Sequence, residues 1–173
     1  MTGRAAGRSL QVLLAAAALA GCRRAAPPPP TCNTLANVAT PVPFTPKAGP
    51  LPLFTGGPLE DGVYRATRAE GYGDVDHDGR RMTLAVSAGG TEIAWSGDVL
   101  DASGARVLAS VRANARVSAT GNRLDLTTLC ASLSPSPLPA HMSFSARPGE
   151  LVLGLVEAGG AFVTTYQRAP GAP

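Results

Sequence analysis

From residue 59 onward, apolar and polar residues alternate in short runs separated by turn residues. Alternation with period two is the mark of a half-buried antiparallel strand. It predicts strands over 62–69, 80–87, 91–98, 105–119, 123–129, 141–147, 150–156 and 161–168. Gly89-Gly90, Gly121-Asn122, Pro148-Gly149 and Gly159-Gly160 sit between them as turns. Over 105–119, Val107, Ala109, Val111, Ala113, Ala115, Val117 and Ala119 stay in phase, which favours one long strand over a hairpin at Asn114. No stretch of ten or more residues carries a helical period with caps.

Eight strands joined mostly by short turns pair neighbour to neighbour. One inward face per strand asks for a single closed core. An all-β, eight-stranded antiparallel up-and-down barrel meets both conditions and leaves no open edge. A two-sheet β-sandwich is the alternative, but it uses longer crossing connections. The expected inward set includes Met82, Leu84, Val86, Ile93, Trp95, Val107, Val111, Leu124, Leu126, Phe144, Leu151, Leu153 and Phe162.

Before the barrel pattern the chain changes character. Arg4 and Arg8 precede Leu10 to Ala20, a run whose only polar residue is Gln11, and Leu19-Ala20-Gly21-Cys22 closes it. A charged start, a short apolar run and small residues at a cut are the pattern of an export signal. The run is too short to span a bilayer, which takes about 20 apolar residues. Leu19-Ala20-Gly21-Cys22 resembles the bacterial lipobox, which implies cleavage before Cys22 and lipid attachment to its sulfur. The expected organisation is then a lipoprotein signal peptide over 1–21, a disordered Pro-rich tether over 22–58 and a β-barrel domain over 59–173.

That division changes how the charge and the cysteines are read. The formal +3 overstates the basic character of the folded part. From residue 59 onward 10 Arg face 12 Asp plus Glu, so no basic face for nucleic acid is expected. Arg23 and Arg24 beside the anchor favour anionic headgroups. Of the three cysteines, Cys22 takes the lipid and leaves Cys32 and Cys130. Outside the cytoplasm two remaining thiols are expected to pair. A buried thiol beside an exposed one, or a bond between chains, stays open. If Cys32 pairs with Cys130, residues 33–58 wrap the domain and the free tether shrinks to about 23–31.

The domain resembles lipocalin-like lipoproteins of Gram-negative bacteria. The carrying residues are Leu59-Glu60-Asp61-Gly62-Val63-Tyr64, the strand from Asn122 to Cys130, and Phe162-Val163-Thr164-Thr165-Tyr166-Gln167-Arg168. Gly62-Val63-Tyr64 stands where lipocalins carry Gly-x-Trp. The resemblance implies a barrel in which Tyr64 lies under Arg168 near the first strand.

Candidate chemistry is sparse. Asp74-Val75-Asp76-His77-Asp78-Gly79 matches the first half of a calcium loop, with Asp74, Asp76 and Asp78 as ligands. The twelfth position is Ala85 where a bidentate Glu belongs, so a solvated polar loop is the competing reading. His77 and His141 are the only histidines, and no nucleophile-base pair or carboxylate pair stands out, so no catalytic residue and no enzyme activity are expected. Apart from that calcium ion no cofactor is expected. Trp95, Phe144, Leu153 and Tyr166 are the candidates to line a pocket for a small apolar ligand, with the alanines of 105–119 leaving room. The expected function is a membrane-anchored envelope lipoprotein, held in the outer membrane through Cys22, whose barrel binds such a ligand. The alternative is a structural or interaction lipoprotein with a filled core that binds another envelope protein.

Overall fold

A computed structural model of the chain describes residues 32–74, 78–101, 103–133, 138–157 and 159–171. The signal segment, Cys22 and most of the Asp76 loop therefore lie outside the described residues. Nine strands form: β1 (Phe44–Lys47), β2 (Gly62–Gly73), β3 (Gly79–Ser87), β4 (Glu92–Leu100), β5 (Val107–Thr120), β6 (Arg123–Ala131), β7 (His141–Arg147), β8 (Glu150–Glu157) and β9 (Gly160–Arg168). β2 to β9 pair antiparallel in chain order, and β9 returns to β2 from Tyr64↔Arg168 to Gly73↔Gly160. The result is a closed eight-stranded antiparallel barrel. All eight expected strands are present, and 105–119 is one strand with a bulge near its start, where Leu100 faces Val107 and Val99 faces Ala109.

The barrel has a packed end. Leu124, Phe144 and Leu151 are fully buried there, and Tyr64, Leu84 and Val86 join them. Their alternation with polar residues fixes the register, because a slip of one residue would turn each of these side chains to water. Val107 departs from the expected inward set and is 43% exposed. It begins β5 at the other end of the barrel, beyond the bulge that breaks the inward phase.

Residues 32–58 form a belt on the barrel, the arrangement expected of 33–58 if Cys32 pairs with Cys130. β9 occupies one edge of β2, while the other edge is shared: residues 62–65 pair with β3, and residues 69–72 pair with β1 in parallel. β1 thus fills the gap where β2 and β3 diverge. Val42 ties it to β3, donating its N–H to the Arg80 carbonyl at 2.7 Å and accepting the Arg80 N–H at 3.0 Å. Lower on the wall the β6–β7 ladder is short, running only from Arg123 to Asp125. There the Gly56 N–H donates to the Phe144 carbonyl at 2.9 Å, and the Ala146 N–H donates to the Gly56 carbonyl at 2.8 Å. Gly56 holds φ +70° against the Gly121 carbonyl, where a Cβ would collide.

A disulfide between Cys32 and Cys130 fixes the start of the belt, with the two Cα atoms 5.7 Å apart. The belt stays in place because it satisfies backbone and side-chain groups on the outer wall. Asn33 Nδ2 donates to the Trp95 carbonyl (3.2 Å), the Ala113 carbonyl (3.1 Å) and Asn114 Oδ1 (2.8 Å). Asn37 Nδ2 donates to the Arg81 carbonyl and to Asp98 Oδ2, each at 2.9 Å. Thr83 and Asp98 point outward from their strands yet are buried, because the belt covers them.

Candidate ligand cavity

Above the packed end the side chains stop meeting across the barrel. A cavity of about 440 Å³ remains, bounded by β3, β4, β5, β6, β7, β8 and β9 and by Phe44 of the belt. Leu84, Ile93, Trp95 and Tyr166 lie toward its floor. Arg80, Val99, Leu155 and Glu157 lie toward its mouth, at the end that carries the β2–β3, β4–β5 and β8–β9 connections. Leu138, from the connection between β6 and β7, reaches the lining and packs with Ala113 and Ala115. The size falls within the range of small-molecule sites, about 300–1,000 Å³.

Three of the four pocket candidates, Trp95, Leu153 and Tyr166, line this space. Phe144 does not. Its N–H bonds the Asn122 carbonyl at the closed end, which places the ring in the packed half, fully buried away from the cavity. Phe44 belongs to the lining but has no alternating pattern around it. It packs edge-on to Phe162 with ring centroids 5.3 Å apart.

Gly97 and Val111 are small lining residues on β4 and β5, whereas Ala113 and Ala115 pack against Leu138. Gly97 lines the cavity beside the Trp95 indole, whose Nε1 would sit 3.4 Å from a Cβ there. Trp95 Nε1 is buried without a hydrogen-bond partner among the described residues. Tyr166, also buried, donates its hydroxyl among the described residues to the Met82 thioether at 3.6 Å, a weak acceptor. Burial pushes the Tyr166 hydroxyl pKa well above its ordinary value, so it remains a donor. The floor therefore holds two poorly satisfied donors in an apolar setting.

Asp98 lines the cavity's edge from the outer network. It accepts from Arg81 Nε at 2.9 Å and Nη2 at 2.7 Å, from Asn37 at 2.9 Å and from Ser110 Oγ at 2.7 Å. Burial alone would raise its pKa, but the bonds from Ser110, Arg81 and Asn37 and the Arg81 charge outweigh it and hold the carboxyl below its usual range. This network has no periodic signal in the sequence, since Asn33 and Asn37 fall within the segment expected to be tether.

The remaining candidates stand apart from the cavity. Tyr64 donates its hydroxyl to the Glu60 carbonyl at 2.9 Å, and Arg168 lies over Gly62, 3.6 Å from Glu60 Oε2, at the packed end. Burial and the Glu60 charge raise the Tyr64 pKa, against the lowering effect of Arg168. Asp74 follows β2 and is exposed, its N–H on the Gly159 carbonyl at 3.1 Å, while Asp78 is partly buried before β3 and Asp76 lies outside the described residues. Among the described residues no three His, Cys, Asp or Glu side chains converge as metal ligands. His141 is exposed on the outer wall with its Nδ1 at 2.7 Å from Asp125 Oδ1.

These features define a closed antiparallel β-barrel with an internal apolar cavity and a disulfide-pinned belt. No family model, curated protein or solved structure matches the chain.

Proposed function

We propose that this chain is a lipid-anchored envelope lipoprotein whose lipocalin-like barrel holds one small apolar ligand carrying a neutral hydrogen-bond acceptor. The observation that carries the reading is the cavity of about 440 Å³ with the unpartnered Trp95 Nε1 at its floor. A buried donor without a partner costs about 1–3 kcal/mol, so a carbonyl or ether oxygen reaching Trp95 and Tyr166 gains affinity that a plain hydrocarbon does not. A neutral acceptor fits better than a carboxylate, because neither donor at the floor carries a charge to offset a buried anion. The apolar body of the ligand then fills the space toward the mouth. Cys22 supplies the anchor, the outer membrane is the location, and no catalytic step or nucleic-acid partner belongs to the reading. A weak calcium site at Asp74, Asp76 and Asp78 stays part of it; calorimetric titration at millimolar calcium, with no heat, removes that site.

The test uses the chain's only tryptophan as reporter. Titration with 2-undecanone is expected to shift Trp95 emission and saturate at one ligand per chain. Trp95→Phe, followed by calorimetry, is expected to bind the ketone about tenfold more weakly, the loss of one hydrogen bond. A silent tryptophan with no calorimetric heat would leave an interaction lipoprotein that binds another envelope protein as the better reading.

A further inference from the structure

The cavity floor sets a thioether beside two donors that lack a strong acceptor. Tyr166 points its hydroxyl at Met82 Sδ from 3.6 Å. On the paired strands β3 and β4, Met82 faces Gly97 and Leu84 faces Trp95. A Cβ on Gly97 would lie 3.4 Å from Trp95 Nε1 and 3.6 Å from Met82 Cγ, so the indole N–H edge and the Met82 side chain meet over that glycine. Trp95 Nε1 has no partner among the described residues. Met82, Trp95, Gly97 and Tyr166 all line the cavity, which leaves open space beside the sulfur.

We infer that Met82 is an oxidation site whose sulfoxide oxygen accepts from both floor donors. The sulfur lone pair attacks one oxygen of a peroxide. An S–O bond forms and the O–O bond breaks, so sulfur loses two electrons and the peroxide is reduced. With hydrogen peroxide, the proton of the transferred oxygen leaves with the departing hydroxide as water. The product is a polar, chiral side chain. The 3.6 Å between Tyr166 Oη and Met82 Sδ accommodates the new oxygen at an ordinary O–H···O distance of about 2.7–2.8 Å from the phenol. Trp95 Nε1 donates to the same oxygen across Gly97. Met142 is the contrast. It lines the same cavity and is more exposed than Met82, but it packs with Ala113, Ala115 and Leu138, whose side chains offer no donor. The consequence for binding rests on the ligand reading above: a sulfoxide that occupies Trp95 and Tyr166 takes the donors from the ligand's oxygen.

The chain's methionines are Met1, Met82 and Met142, so peptide mass mapping assigns each added oxygen. The folded full chain treated with hydrogen peroxide is expected to carry oxygen at Met82, predominantly as one sulfur epimer. After digestion, the two classes of methionine sulfoxide reductase, each acting on one epimer, read the ratio. An excess of about tenfold is expected, the factor of one hydrogen bond, falling toward equality in Tyr166→Phe. Oxygen on Met142 with Met82 left reduced, or equal epimers at Met82 in the parent chain, overturns the site. Binding is read apart. The oxidised chain is expected to hold 2-undecanone about tenfold more weakly, and peroxide is expected not to alter the affinity of Met82→Leu. Equal affinity before and after complete Met82 oxidation overturns the competition. A chain that binds no ketone in either form removes the ligand reading, while the epimer ratio still decides the site.

Discussion

Asp98 shows how much of this protein depends on residues outside any alternating pattern. It takes hydrogen bonds from β3, β5 and the belt at once, through Arg81, Ser110 and Asn37. Asp98→Asn removes the charge while keeping the size, leaving the Arg81 guanidinium without its carboxylate. Such a change in a largely buried pair is expected to cost about 1–3 kcal/mol at neutral pH. The pH dependence follows from the lowered pKa. A carboxyl whose folded pKa lies below its unfolded value of about 3.9 stabilises the fold fully above that value. The contribution is lost as pH falls through the folded pKa. Urea midpoints across this acid range are expected to fall less steeply for Asp98→Asn than for the parent chain. Parallel curves would mean that Asp98 contributes no linkage. In the sequence Asp98 reads as an ordinary outward residue of its strand, because the side chain that covers it, Asn37, comes from 61 residues away.

At the scale of elements, the eight barrel strands were legible because each carries its own period. The belt carries no such period, and prolines are the reason. Pro43 and Pro46 flank and interrupt β1, and proline argues against a central strand. β1 escapes that argument because it is short and continues its seam only through the Val42–Arg80 bridge, so it can spare a donor. The signal that pointed to the belt was chemical rather than periodic: the pairing of Cys32 with Cys130. That bond closes a separation of 98 residues. Replacing both cysteines by serine is expected to lower stability by about 2–4 kcal/mol, below the chain-entropy maximum for so long a loop. Denaturant unfolding of the two proteins measures it. A loss well under 1 kcal/mol would mean that Asn33, Asn37 and the β1 ladder hold the belt without help.

At the scale of the whole molecule, belt and cavity are one device. The lining was partly legible: alternation placed Trp95, Leu153 and Tyr166 inward, but how far apart facing strands stand depends on barrel closure, which no single strand records. Phe144 illustrates the limit, sharing the inward phase of the pocket residues while lying in the packed half. Phe44 illustrates the converse, a cavity wall supplied by a segment that reads as linker. Because Phe44 both lines the cavity and rides on the belt, a bound ligand touches an element that the disulfide holds in place. Without the disulfide, part of the binding energy must order the belt first. The Cys32→Ser/Cys130→Ser protein is therefore expected to bind 2-undecanone about tenfold more weakly than the parent, a coupling of about 1.4 kcal/mol. Linkage requires the reverse as well: saturating ketone should protect the disulfide from reduction by a similar factor. Trp95 emission reads the first effect, and the equilibrium of the disulfide in a dithiothreitol redox buffer reads the second. Factors near one in both measurements would show that the ketone contacts the barrel strands but not the belt, and that β1 is a wall of the fold without being a wall of the site.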